Sequence, residues 1–314
     1  MNSQRRNHGQ PVMKIRCALF GLVLLALAAL QYFWLSVSLE RLPADYVSET
    51  EYAAKSRGYA TPTSTEEEPE RVIRRRDQAL SASSDYAIIQ GDVHWVTASG
   101  VVMFEVLNLY GVDRRTRKNL PGYGNEERFG QFLFPPHTLK QKYDGWDPLY
   151  AGPHLSNYDH EETMAGMPVY VFDFVVDGID ETAGYSALPE VPEKYRATTY
   201  GKGRIWVEPT SGIVVDYNET GVSYFIEPKT GERVGEITQW SDHYTQKTHV
   251  AQLQLAQAAR SKIFALEIWI PLGLALAGMG CLVGATVYHR RQRGLSVAKT
   301  PAFIDRCYRA EAAR

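Results

Sequence analysis

Two uncharged apolar runs frame this chain, and everything between them is mixed in polarity. Residues 17–39 (CALFGLVLLALAALQYFWLSVSL) and 268–288 (IWIPLGLALAGMGCLVGATVY) carry no charged side chain. About 20 apolar residues rising 1.5 Å each reach across a hydrocarbon core, so each run predicts a spanning helix. Trp269 and Tyr288 stand near the two ends of the second run, where amphipathic rings favour the interface. A cleaved leader ending at Ala26-Leu27-Ala28 is the competing reading of the first run. The run continues past that point to Leu39, longer than the apolar core of a signal peptide.

Between the runs, the pattern predicts a β-rich domain over 86–240. Residues 86–97 (YAIIQGDVHWVT) and 101–110 (VVMFEVLNLY) are rich in β-branched and aromatic side chains and are separated by Ala98-Ser99-Gly100, which reads as a turn. Residues 169–176 (VYVFDFVV) put Tyr170, Phe172 and Phe174 on one face and mainly valines on the other. Such a strand is covered on both sides or lines a greasy interior. From 204 to 237, Pro209-Thr210-Ser211-Gly212, Asn218-Glu219-Thr220-Gly221 and Pro228-Lys229-Thr230-Gly231 punctuate apolar stretches, predicting an antiparallel meander of about four strands.

The flanks of that domain read differently. Residues 40–85 have little apolar periodicity and much charge, predicting a stalk or linker. Thr61-Pro62-Thr63-Ser64-Thr65 forms a loop there, and a short helix starts at Pro69 with Glu70 and Arg74 paired four residues apart. Residues 241–267 repeat Val250, Leu253, Ala256 and Ile263 at helical spacing, predicting a juxtamembrane helix that runs into the second span. Pro271 is the expected kink.

Charge sets the orientation. Of 314 residues, 40–267 carry 34 acidic against 23 basic side chains, while the tails 1–16 and 289–314 are net basic. Arg5, Arg6, Lys14 and Arg16 precede the first run, and Arg290, Arg291 and Arg293 follow the second. Positive charge is retained on the cytoplasmic side. Both termini are therefore expected inside an inner or plasma membrane, with the main domain periplasmic or extracellular. The acidic middle offers no basic face for nucleic acid. Cys17, Cys281 and Cys307 all avoid the exposed domain, which must be held by its own core.

The candidate chemistry is sparse. His154, Asp159, His160, Glu161 and Glu162 are the densest set of metal-ligand types, but their spacing matches no helical or strand ligand pattern. They read as a solvated acidic loop, and no metal or cofactor is assigned. His243 and His249, six apart on a predicted helix, face different directions. No nucleophile elbow, zinc-binding helix, phosphate loop or dinucleotide fingerprint occurs; Ser211 is explained by its turn, and the chain reads as a non-enzyme. Residues 130–148 supply Phe132, Phe134, Tyr143 and Trp146 around Pro135-Pro136 and Asp144-Gly145. Together with Tyr170, Phe172, Phe174 and Trp206 they either fill the core or line a pocket for an apolar ligand.

Several blocks carry a family resemblance. They are Asp113-Arg114-Arg115-Thr116, Phe134-Pro135-Pro136, Trp146-Asp147-Pro148, Glu161-Glu162-Thr163 ahead of Gly166, and Trp206-Val207-Glu208-Pro209-Thr210-Ser211-Gly212. In this order, between two apolar helices, they resemble two-pass bacterial envelope proteins, common in actinobacteria, whose domain is often labelled porin A family. The resemblance covers most of residues 85–290. It implies an α+β membrane protein with two transmembrane helices flanking a mostly antiparallel β extracytoplasmic domain. Some relatives of that family are associated with moving or sensing envelope lipids, which implies an envelope lipid ligand or a membrane protein partner. A sensor or assembly scaffold working through a separate partner is the alternative. A porin is the third reading; a spanning barrel needs no pair of apolar helices. The charged segment 61–78 departs from the family pattern.

Overall fold

The computed structural model describes residues 10–35, 40–61, 64–67, 70–97, 99–125, 127–147, 152–185 and 194–297. Pro62, Thr63, Pro69, Ala98 and Pro148, which figure in the turns and helix start above, lie outside those residues, as do most of the two basic tails. The chain divides into two compact units, one from its terminal segments and one spanning Glu40–Ser261.

In the terminal unit, α1 (Gln10–Leu30) runs into a π-helical turn (Gln31–Leu35). A second π-helical turn (Ala265–Trp269) opens α4 (Ile270–Val297). Both helical stretches are long and apolar enough to cross a membrane. They pack where neither has a side chain: a Cβ on Gly21 would lie 2.8 Å from the Gly278 carbonyl oxygen. The expected kink at Pro271 takes the form of the second π turn. Ile270 N–H bonds back to the Ala265 oxygen, so the next such bond would come from residue 271, and proline has no N–H to give. The Gln31 side chain donates to the freed Leu266 oxygen instead, at 3.2 Å.

The other unit is built from strands β1 (Val47–Thr61), β2 (Ser64–Glu67), β3 (Arg71–Ala82), β4 (Tyr86–Thr97), β5 (Val102–Asp113), β6 (Asn119–Gly124), β7 (Tyr143–Asp147), β8 (Gly152–Met164), β9 (Met167–Asp180), β10 (Arg196–Glu208), β11 (Ile213–Ile226) and β12 (Arg233–Tyr244). A one-turn α2 (Thr182–Tyr185) follows β9, and α3 (Gln246–Phe264) follows β12. The strands form one antiparallel sheet ordered β6-β5-β4-β3-β1-β12-β11-β10-β9-β8-β7, with β2 paired to β1. First and last strands meet in its middle, and two meanders run outward from them. The link from β6 to β7 crosses from one edge to the other. Within it, Gln131 forms bridges to Lys118 and to Gly145, with Gln131 N–H donating to Asp144 O at 2.6 Å and Phe132 N–H to Arg117 O at 3.0 Å.

The sheet curls around a shared interior. Tyr52, Ala54, Ile73 and Val93 from β1, β3 and β4 belong to one core cluster with Phe172, Phe174 and Val176 of β9, Ile205 and Val207 of β10, and Tyr217 of β11. Strands this far apart in the sheet order share a core only if the sheet bends. On the opposite face of β9, Val169 packs with Val215, Met167 and Ala256 of α3. The first half of β9 is thus covered on both sides, while Val175 farther along is 61 % exposed.

Four expectations are corrected. Residues 40–85 are not a stalk with a helix after Pro69; they form β1 to β3, near the middle of the sheet. Their charges pair across strands, Arg74 with Glu51 at 3.4 Å, Arg76 with Glu49 at 3.3 Å and Lys55 with Glu70 at 2.8 Å, so the predicted Glu70–Arg74 helical pair does not form. The meander from 204 to 237 has three strands, because Asn218–Gly221 pairs throughout β11 instead of turning. The set from His154 to Glu162 lies in β8 and is not a loop. Finally, β12 runs on to Tyr244, so the helix predicted over 241–267 begins at Gln246 and places His243 on a strand.

Candidate functional site: the ring-lined interior and its buried acids

Alternation carries every second side chain of β9 inward, and the bend of the sheet brings those residues against the link between β6 and β7. Phe134 lies 4.9 Å from Phe172 and 5.2 Å from Tyr143, ring centre to ring centre, and Phe174 stacks on Tyr217 at 5.9 Å. Phe172 and Phe174 are fully buried, and Tyr170 packs on the rim of the same cluster. The structure therefore gathers Phe134, Tyr143, Tyr170, Phe172 and Phe174. It sends Phe132 to a second cluster against Tyr110 and Tyr46, and Trp206 to a third beneath α3. Trp146 is half-buried on β7, with its indole N–H lacking a partner among the described residues. The gathered rings touch one another at ordinary aromatic packing distances.

The interior also holds acids that the sequence did not single out. Asp147, Glu219 and Asp242 are 4 %, 3 % and 4 % exposed. Glu219 and Asp242 are directly opposed on β11 and β12, so their side chains share one face. The Tyr217 hydroxyl is 2.8 Å from Asp147 Oδ2 and 2.6 Å from Glu219 Oε2. Trp240 donates its indole N–H to Glu219 Oε1 at 3.0 Å. Its ring occupies the space where a Cβ on Gly221 would stand, which gives that strand glycine a packing role.

Burial, then the charges of Asp147 and Asp242, holds the Glu219 carboxyl well above the usual carboxylate range, against the bonds from Tyr217 and Trp240. Burial and the Asp147 charge push Asp242 up to about 7, with Arg71 pulling the other way. Glu181, bonded by the Thr199 hydroxyl, is pushed up to about 7 chiefly by burial. Burial pushes His154 below its ordinary value, with Asp147 opposing. A sequence signal for these acids existed: Tyr217 and Glu219, like Trp240, Asp242 and Tyr244, recur every second residue. The string Asn218-Glu219-Thr220-Gly221 masks it by reading as a turn.

Beside this set, Arg75 lies 2.8 Å from Asp77, which accepts the Tyr110 hydroxyl at 2.6 Å. Arg128 stacks over the Tyr110 ring at 3.7 Å. These are paired charges and read as structural. The metal-type residues of β8 do not gather into one set. His154 is held between Gly145 and Phe174, whereas His160 lies on the surface, 2.8 Å from both Asp159 and Glu162. His243 and His249 sit on β12 and α3, the latter 3.4 Å from Asp216.

The turn Trp206–Gly212 ties the sheet to α3. Glu208 is fully buried and accepts the backbone N–H of Ser211 at 2.8 Å, the Ser211 hydroxyl at 2.7 Å and the Thr210 N–H at 3.2 Å. Arg260 of α3 approaches it to 3.5 Å. Gly212 takes a φ of 73°, and a Cβ there would meet the Phe134 and Pro135 carbonyls, so only glycine fits. Ser211 is thereby held in the turn, as expected from its chemistry.

No curated protein matches this chain. A family model described as porin PorA matches residues 15–287, from the first apolar helix through the whole sheet to the second. With most of its length so matched, the chain belongs to the porin PorA family.

Proposed function

We propose that this chain is a non-catalytic, membrane-anchored envelope protein whose β-domain binds an apolar or lipid ligand, or a lipid-handling membrane partner, on the far side of the membrane from its two basic tails. One observation carries the reading. β5 is paired to β6 only at Tyr110, Gly111 and Val112, so on the side away from β4 residues 102–108 have no ladder partner among the described residues. That edge exposes apolar side chains: Val101, Val102, Met103 and Leu107 are 62 %, 48 %, 50 % and 57 % exposed, with the exposed Glu105 between the last two. An unpaired strand edge with exposed apolar side chains recruits either a greasy ligand or another strand. The Lys and Arg flanks of the two apolar helices support the orientation.

A photo-crosslinking amino acid at position 107 in the membrane-embedded protein tests this. Adducts with a lipid or a membrane protein, absent when the label stands at position 76 on the charged face, are expected. Equal labelling at both positions refutes the reading.

The family description favours a second reading, a pore. A sheet forming the pore wall needs an outward apolar band, whereas Glu49, Glu51, Arg74 and Arg76 face outward on β1 and β3. Conductance of the purified protein in planar bilayers separates the two. Discrete channel events would make the pore the better account.

A further inference from the structure

The contacts of Tyr217 carry a count. Its hydroxyl lies within hydrogen-bond distance of Asp147 Oδ2 and Glu219 Oε2. Each such oxygen–oxygen contact requires a proton, and a phenol has one. One of the two carboxyls must therefore supply the second.

A separate observation points the same way. Asp242 stands opposite Glu219, is 4 % exposed, and its Oδ1 has no hydrogen-bond partner among the described residues. An ionised carboxylate with one oxygen buried and lacking a donor, beside another acid, is disfavoured, and a proton removes the charge. We infer that Glu219 and Asp242, beside Asp147, form a proton-binding site inside the sheet, loaded in the folded domain at neutral pH and emptied, with loosening of β11 and β12, as pH rises.

Charged and titratable groups surround the site. On β3, Arg71 donates to Ser56 Oγ at 2.6 Å and Arg75 is held by Asp77. β1 and β12 contribute the contacting rings of Tyr52 and Tyr244, β8 contributes His154, and Glu181 lies past the end of β9. The Arg71 charge favours ionised Asp242, but burial and Asp147 outweigh it and leave that group at about 7. A metal cation is the poorer occupant, because the Trp240 N–H already takes Glu219 Oε1. The strand bearing Asp242 leads directly into α3.

The sign of the pH dependence follows. An acid whose folded-state pKa exceeds its unfolded value binds more protons in the folded state between the two, so stability falls as pH rises through that window. For Asp242 the window runs from its ordinary 3.8 to about 7. Each such acid lowers the folding equilibrium constant by up to about tenfold per pH unit there.

Thermal melting of the detergent-solubilised full chain across this range tests the site, with Asp242→Asn as the comparison. The unsubstituted protein is expected to melt lower as pH rises toward about 8. The variant should show a shallower slope and a higher melting temperature than the parent at the alkaline end. Parallel profiles overturn the proposal. So does magnesium or calcium chloride that, at alkaline pH, raises the melting temperature of the parent but not of the variant, since the site would then hold a cation. If the variant does not fold, infrared spectroscopy of the unsubstituted protein decides. A protonated-carboxyl band present at neutral pH, titrating away above it and retained in Glu181→Gln supports the site, and its absence at neutral pH refutes it.

Discussion

Glu208 offers the sharpest mutational test of how the sheet holds α3. The carboxylate is fully buried and satisfies two backbone N–H groups and the Ser211 hydroxyl while facing Arg260. Glu208→Ala strands the Ser211 N–H in a residue only 2 % exposed, which costs about 1–3 kcal/mol. It also leaves Arg260, whose side chain is 25 % exposed, facing an empty site. That solvent contact keeps the second contribution near about 1 kcal/mol. The expected total is about 2–4 kcal/mol. Glu208→Gln keeps an acceptor for the turn and should lose about 1–2 kcal/mol.

Pulse proteolysis of the solubilised full chain in urea gives the free energies, and a cycle with Arg260→Met isolates the pair. A coupling of about 1 kcal/mol is expected. A Glu208→Ala loss below about 1 kcal/mol, or strict additivity with Arg260→Met, refutes the reasoning that this turn and α3 share one buried contact.

Other outcomes follow from packing. Phe172→Ala empties a fully buried ring site and should destabilise by about 3–5 kcal/mol in the same urea series. Gly221→Ala forces a methyl group into the Trp240 ring; a loss of about 1–3 kcal/mol is expected, with a change in tryptophan emission because that ring must shift. Gln31→Leu removes the donor to Leu266 O and should weaken the helix pair by about 0.5–1.5 kcal/mol, read as denaturant sensitivity of a cysteine crosslink placed across α1 and α4.

The apolar helices, the strands β4, β5, β9 and β10 and the two ends of β11 were legible because their signals are local. Hydropathy marks a span without reference to anything else, and β-branched or aromatic runs mark a strand. β1 and β3 were not legible. Their outward faces are covered with charges that neutralise each other only after pairing, as Glu49 does with Arg76. Their inward faces mix Tyr52 and Ile73 with Thr50, Arg75 and Asp77, so the alternation of polar and apolar residues that betrays a half-buried strand is broken on both sides. The same cause hid the acids. A curled sheet with a partly polar interior places Glu219 and Asp242 where periodicity expects apolar side chains, and the Asn-Glu-Thr-Gly string imitated a turn. The aromatic candidates were half legible: residue type marked the rings as inward-facing, but only the long-range bend decides that Phe134 joins Phe172 while Phe132 joins Tyr110.

The interior and the exposed edge now make opposite demands on any ligand. Phe134, Tyr143 and Phe172 contact each other pairwise, and Phe174 and Tyr217 continue the packing toward Asp147 and Glu219. An acyl chain entering there would have to displace rings already in contact and lie beside acids, which costs both packing and desolvation. The edge at residues 102–108 requires no such rearrangement, since its side chains are already in solvent and its strand lacks an outer neighbour. Leu107→Asp should therefore weaken capture of an apolar ligand or partner by about tenfold, for loss of roughly one buried aliphatic side chain, while leaving urea stability within about 0.5 kcal/mol of the parent. Phe134→Leu should do the reverse, lowering stability and sparing capture. If Phe134→Leu abolishes capture at a urea concentration where the domain stays folded, the ligand sits inside and the edge is not its site.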